Sequence, residues 1–306
     1  MPSKIRTVLG DVSPSVLRAT VTHEHGLLYE KRSGLDQDAY LKKAMPPAMK
    51  RLEKEFRALI ARGCNGFVEC SLRVRTPVEL REVARRTGMH LVLSTGFYTE
   101  DSLAPRVKRM SVAQLADYML TDVTKGILGT GVRAGVVKTS SNGYELGPTE
   151  RKIFEAAAIV HKKTGVPITT HTTKGARRQT EFFKARGVAL DKVAYGHIEV
   201  DPWEDTLWAA KQGAMFNFTN FGGEMWVPED MVVAEIRDLV RRGHVKQVMI
   251  SVDMYLYWLK GRIHLRWPGG FVQIFDRVIP KLRKAGLSRR DIEIITEENP
   301  RRHLAF

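Results

Sequence analysis

The chain has 306 residues, 43% hydrophobic and 27% charged, the proportions of an ordinary globular protein; no apolar run reaches the ~18 residues that cross a bilayer. No apolar segment behind Met1-Pro2-Ser3-Lys4-Ile5-Arg6 could act as a signal peptide, and two cysteines, Cys64 and Cys70, are too few for a disulfide scaffold, so a cytoplasmic protein is expected. The net charge of +15 suggests attraction to nucleic acid or to an anionic surface, yet the basic residues form short scattered clusters such as Arg85-Arg86, Arg177-Arg178, Arg241-Arg242 and Arg289-Arg290 without a cationic tail. A solvated basic surface is the expectation, with neither nucleic acid nor membrane as partner.

Short β-branched or apolar runs alternate with longer helical patterns, as in repeated βα units. In chain order the predicted strands are residues 19–23, 66–70, 91–95, 135–138, 167–171, 193–197, 214–218 and 247–252. Predicted helices fall at 49–61, 78–87, 112–126, 149–164 and 229–242, and Phe271, Ile274, Val278 and Leu282 repeat at helical spacing after the last strand. Gly63, Gly88, Gly165, Gly187, Gly213, Gly243 and Gly286 occupy expected helix C-caps. Eight such units predict a single (β/α)8 TIM barrel over residues 1–306. An open doubly wound sheet would call for a Gly-x-Gly-x-x-Gly turn, which the sequence lacks.

The C-terminal strand ends of a barrel converge on one mouth. Strand one ends in His23 and His25, two residues apart and therefore on one side of an extended chain. Strand four ends in Lys138, strand five in His171 and strand six in His197, while strand eight runs into Asp253. Four of nine histidines thus meet at the mouth. The others, His90, His161, His244, His264 and His303, fall at a strand start, within a helix, in loops or near the C-terminus. A lone strand-end histidine is usually a packing residue, but the joint pattern points to a metal, and imidazole with carboxylate suits zinc or a similar first-row ion. Lys138 has a plain reading as half of a structural ion pair. Among metals its amine would instead lose its proton and could add carbon dioxide, giving a carbamate with two ligand oxygens.

The series Val8-Leu9-Gly10, Thr22-His23-Glu24-His25, Gly135-Val136-Val137-Lys138, Ile168-Thr169-Thr170-His171, Gly196-His197 and Ser251-Val252-Asp253 resembles the phosphotriesterase family of the amidohydrolase superfamily. Glu298-Asn299-Pro300-Arg301-Arg302 and the terminal Phe306 are similar to it as well. The resemblance implies a distorted (β/α)8 barrel holding two divalent ions, zinc in the first place, with manganese, cobalt or iron as alternatives. It implies that His23, His25 and Asp253 hold a buried ion and His171 and His197 a more exposed one, bridged by carboxylated Lys138 and a hydroxide. Asp253 then takes the proton of the attacking hydroxide. Homodimers are common among such relatives.

Tyr98 follows strand three, where the resembling lactonases place a substrate-contacting tyrosine. The loop after strand seven lacks the arginine many of them carry, which argues against typical acyl-homoserine lactone activity. Glu69 is expected to support a ligand from behind. Met225 and Trp226, with Tyr255, Tyr257, Trp258 and Trp267, are expected to line an apolar pocket with Arg262, His264 and Arg266 as its cationic rim; an aromatic subunit interface is the competing reading. The expected activity is hydrolysis of a small carboxylic ester or lactone, with promiscuous phosphotriesterase activity. A dedicated phosphotriesterase and, more distantly, a metal-dependent nuclease are the alternatives. Lys138 stands where similar barrel nucleases carry a glutamate.

Overall fold

The computed structural model describes residues 3–27, 37–73, 75–172, 174–222 and 227–306. Strands β1 (Ile5–Thr7) and β2 (Gly10–Val12) form an antiparallel hairpin. Then β3 (Ala19–Glu24), β4 (Cys64–Glu69), β5 (His90–Gly96), β6 (Val136–Ser141), β7 (Ile168–Thr172), β8 (Val193–Gly196), β9 (Met215–Phe218) and β10 (Val248–Ile250) pair in sequence order, all parallel. Helices α1 (Gln37–Ile60), α2 (Pro77–Thr87), α3 (Pro105–Arg109), α4 (Val112–Thr124), α5 (Pro148–Thr164), α6 (Ala176–Lys184), α7 (Trp203–Lys211) and α8 (Glu229–Arg241) connect them. Eight parallel strands with intervening helices are the expected TIM barrel.

The seam between β10 and β3 is not a regular ladder and is closed largely by side chains. Ser251 Oγ accepts the amides of Thr22 at 2.7 Å and His23 at 2.9 Å. The buried Glu24 carboxylate accepts those of Val252 at 2.8 Å and Met254 at 2.7 Å. His25 N then donates to Met254 O at 2.8 Å. These bonds satisfy amides that an ordinary ladder would have paired.

The expected helix-end glycines all have positive φ; Gly88 and Gly165, at φ 80° and 77°, cap α2 and α5 in the left-handed region. Three expectations are corrected. The fourth barrel strand does not end at Lys138 but continues to Ser141, because Thr139, Ser140 and Ser141 keep pairing with Thr170, His171 and Thr172. The predicted helix spans omit the short α3, and they omit α6 and α7 although the glycines that end them, Gly187 and Gly213, are expected helix C-caps. The segment expected as an aromatic loop is an antiparallel hairpin, β11 (Leu256–Leu259) and β12 (Arg262–Leu265), so His264 lies in a strand. Its two-residue turn holds Lys260 at φ 49° and Gly261 at φ 77°, the left-handed pair that suits the twist of a tight hairpin. No helix among the described residues is long and apolar enough to cross a membrane.

Candidate metal centre

The sequence-predicted ligands do converge. His23, His25 and Asp253 each offer a donor atom within 4.8 Å of the others. His25 Nε2 lies 3.2 Å from Asp253 Oδ1. The His23 ring is centred 4.9 Å from that of His197, which in turn lies 4.5 Å from His171. Lys138 is fully buried, with Nζ 3.2 Å from His23 Nε2 and 3.2 Å from the carbonyl of Cys70. All six residues therefore meet in one cluster, buried except for the partly exposed Asp253.

Close backbone approach makes room for it. A Cβ at Gly196 would fall 2.6 Å from His23 Cε1 and Nδ1 and would also clash with Thr170 O. A Cβ at Gly96, at φ 127°, would collide with the carbonyl of Lys138. His197 and Asp253 are themselves left-handed, at φ 61° and 48°. Non-glycine residues seldom adopt that region, and it turns each side chain back into the mouth as its strand ends.

Contacts behind the imidazoles orient them. His25 Nδ1 is 2.8 Å from Ser71 Oγ. Glu69 holds that segment by accepting from Ser71 N at 2.7 Å and from Gly26 N. His197 Nδ1 bonds Thr219 Oγ1, whose hydroxyl donates to Glu199 Oε1 at 3.0 Å. That direction makes Nδ1–H the donor and leaves the lone pair on Nε2, the tautomer a metal requires. Arg266 Nη1 donates to Asp253 O at 2.9 Å and pairs with Oδ2. Ser71, Thr219 and Glu199 carry no role in the sequence-based expectation, which sets Arg266 on a cationic rim instead. Only the two-residue spacings Glu69-x-Ser71 and His197-x-Glu199 could have hinted at two of them.

The charges suit a cation. Burial, with Lys138 and neighbouring imidazoles adding to it, holds His23 and His171 well below the ordinary histidine range. Burial also lowers His25 and brings His197 down to about 4, so neutral nitrogen donors prevail near pH 7. Burial opposes the Asp253 charge, but its bond to His25 and the charges beside it, Arg266 among them, outweigh that and keep it ionised. His23 Nδ1 is buried without a partner among the described residues, and Lys138 has no ion-paired carboxylate among them. The structural ion pair considered for Lys138 is thus not found there. Neutral imidazoles and an anionic carboxylate form a set of donors that fits divalent metal, with the buried Lys138 beside them.

Tyr98 stands at this mouth, its hydroxyl 3.3 Å from His171 Nε2 and its ring 5.9 Å from Lys138 Nζ. Tyr255 bridges to His25 in the seam and carries Arg266 over its ring at 5.2 Å. Trp258 packs partly buried against the barrel core. Arg262 is exposed beside the hairpin turn. Met225 and Trp226 lie outside the described residues. The expected cationic rim is corrected at Arg266, which reaches inward to Asp253.

Barrel and donor set together fit a metal-dependent hydrolase, the class that the chain's family supports. The family model for the phosphotriesterase family matches residues 3–304. The chain belongs to that family. It is 31% identical over 255 residues to the phosphotriesterase homology protein of Escherichia coli (strain K12), covering 81% of this chain and 86% of that protein. It is 23% identical over 348 residues to the N-acetyltaurine hydrolase of Homo sapiens, covering 100% of this chain and 99% of that protein. It superposes on the organophosphorus hydrolase from Deinococcus radiodurans with a TM-score of 0.88 at 28% identity, over 98% of this chain and 96% of that one.

Proposed function

We propose that this chain hydrolyses a small carboxylic ester or lactone, with His23, His25 and Asp253 holding one divalent ion, His171 and His197 a second, and Lys138 joining them as a carbamate. The observation that carries the reading is the convergence of neutral imidazoles and an ionised carboxylate around a buried lysine without a counter-carboxylate. Carboxylation would turn that cation into an anion and remove the cost of burying it unpaired. Two such ions, zinc in the first place, supply Lewis acidity toward a carbonyl or phosphoryl oxygen and lower the pKa of a water held at the site. Asp253 receives the proton of the attacking water at its carboxylate and, held by Arg266, passes it toward the departing oxygen. Tyr98 Oη, beside His171, hydrogen-bonds the substrate.

Amide hydrolysis is a second reading, favoured by full-length relatives named N-acetyltaurine hydrolases. A dedicated phosphotriesterase is the other. Metal-loaded protein is assayed on lactones, short esters, N-acetyl amides and an aryl phosphotriester, beside Lys138→Ala. Turnover of an ester or lactone, lost by at least about 100-fold in the variant, is the expected result. A wild type that leaves all four classes intact, or a variant that matches it, overturns the reading.

A further inference from the structure

Of the imidazoles at the candidate centre, His25 and His197 each rest Nδ1 on a hydroxyl, that of Ser71 and that of Thr219. His23 differs. Its Nε2 lies 3.2 Å from Lys138 Nζ, which puts Nδ1 on the far edge of the ring, buried and without a partner among the described residues. A metal on Nε2 leaves the proton on Nδ1, and a buried N–H calls for an acceptor.

Asn217 is the matching orphan. It is fully buried, and neither its Oδ1 nor its Nδ2 has a partner among the described residues. Side chains alternate along β9. Phe216 and Phe218 join the large cluster with the helices, whereas Met215 packs with Ala194 and Met249 in a separate one. Asn217 therefore points into the barrel with Met215. Its pairing partner on β8 is Gly196, and a Cβ added to Gly196 would fall 2.6 Å from His23 Nδ1. Adjacent strands stand only about 4.8 Å apart, so the missing side chain leaves the Asn217 carboxamide facing the Nδ1 edge of His23 across Gly196. On the other side Asn217 pairs with Met249, and two residues further along Ser251 Oγ accepts from His23 N at 2.9 Å. This arc of the barrel thus meets both the backbone and the ring of His23. We infer that Asn217 is the positioning residue for His23: its Oδ1 accepts the Nδ1–H, which holds the ring with Nε2 turned toward the metal. The inference rests on the metal-centre reading above and adds a support that neither family motif nor strand-end position assigns.

Zinc affinity, measured by competition with a chelating dye, tests it alongside melting of the metal-free protein. Asn217→Leu removes the acceptor at similar volume. It is expected to weaken zinc binding by about 10- to 100-fold while the metal-free protein melts no lower than wild type, since no polar group of residue 217 is then left buried. Asn217→Asp keeps the acceptor and is expected to bind zinc at least as tightly as wild type. A leucine variant with wild-type affinity overturns the inference alone, and so does an aspartate variant that loses as much as leucine. A wild type that takes up no zinc overturns the metal-centre reading and this inference with it. Should the leucine variant not fold, the imidazole proton decides. In histidine-labelled, zinc-loaded wild type, the Nδ1–H signal that His23→Gln removes is expected to be protected from exchange and to move downfield in Asn217→Asp. A signal that Asn217→Asp leaves in place overturns the inference.

Discussion

His197 and Asp253 are held in left-handed backbone at the ends of their strands, a conformation that costs about 1–3 kcal/mol per residue. Such a cost persists only where surrounding contacts over-determine it, and here the Thr219–Glu199 chain and the Arg266 pair do so. Gly196 is the backbone complement of this arrangement. Gly196→Ala would press a methyl into the His23 ring and Thr170 O, so it is expected to lose about 1–3 kcal/mol of stability and to weaken metal binding. Urea denaturation and a zinc titration check this, and a variant equal to wild type in both would show that the ring has room to move. The ligands themselves were legible in the sequence because histidine at a strand end is chemically conspicuous. Ser71 and Thr219 were not, since a strand-end hydroxyl looks the same whether it orients an imidazole or caps a turn. Arg266 was misread because its sequence neighbours are aromatic and its partner, Asp253, is reached only by folding the hairpin back.

The strand elements explain why the mouth is polar. β6 begins with Val136-Val137 and leaves as Lys138-Thr139-Ser140-Ser141, all buried, so apolar packing sets the strand and its chemistry emerges at the end. That gradient made the eight strands recognisable, and it also misplaced the end of β6, because hydroxyl residues read as loop. The hairpin of β11 and β12 was missed for a related reason: its Lys260-Gly261 turn is a weaker signal than Asn-Gly, and its aromatic residues matched a pocket wall. Closure of the barrel by Glu24 and Ser251 leaves no pattern that a single strand could reveal, since it joins residues more than two hundred positions apart. Its cost is measurable. Glu24→Ala leaves the amides of Val252 and Met254 unpaired, each worth about 1–3 kcal/mol when buried, partly offset because burial strongly disfavours the Glu24 charge. A net loss of about 2–4 kcal/mol is expected in denaturant unfolding, with Glu24→Gln intermediate. An alanine variant as stable as wild type would mean that the seam closes by other contacts.

At the scale of the molecule, the hydrophobic core and the candidate centre are distinct parts of one barrel. Apolar residues from the strands and surrounding helices form a large cluster, so the fold is expected to collapse without metal, unlike small zinc domains. The charge balance says where metal does matter. A chain of net charge +15 gathers further positive charge when divalent ions enter, which is tolerable because the receiving imidazoles are neutral and Asp253 is ionised. Removing metal should therefore leave a folded barrel with a loosened mouth. Dialysis against a chelator is expected to retain the far-ultraviolet circular dichroism spectrum while lowering the melting temperature. Restoring zinc to about a hundred times its Kd should return about 2.7 kcal/mol per independent site, and elemental analysis should find about two ions per chain in the reloaded protein. Calorimetry distinguishes the outcomes: a melt indifferent to chelator and to added zinc would deny the cluster any metal, whereas global unfolding on chelation would show that the core leans on the centre after all.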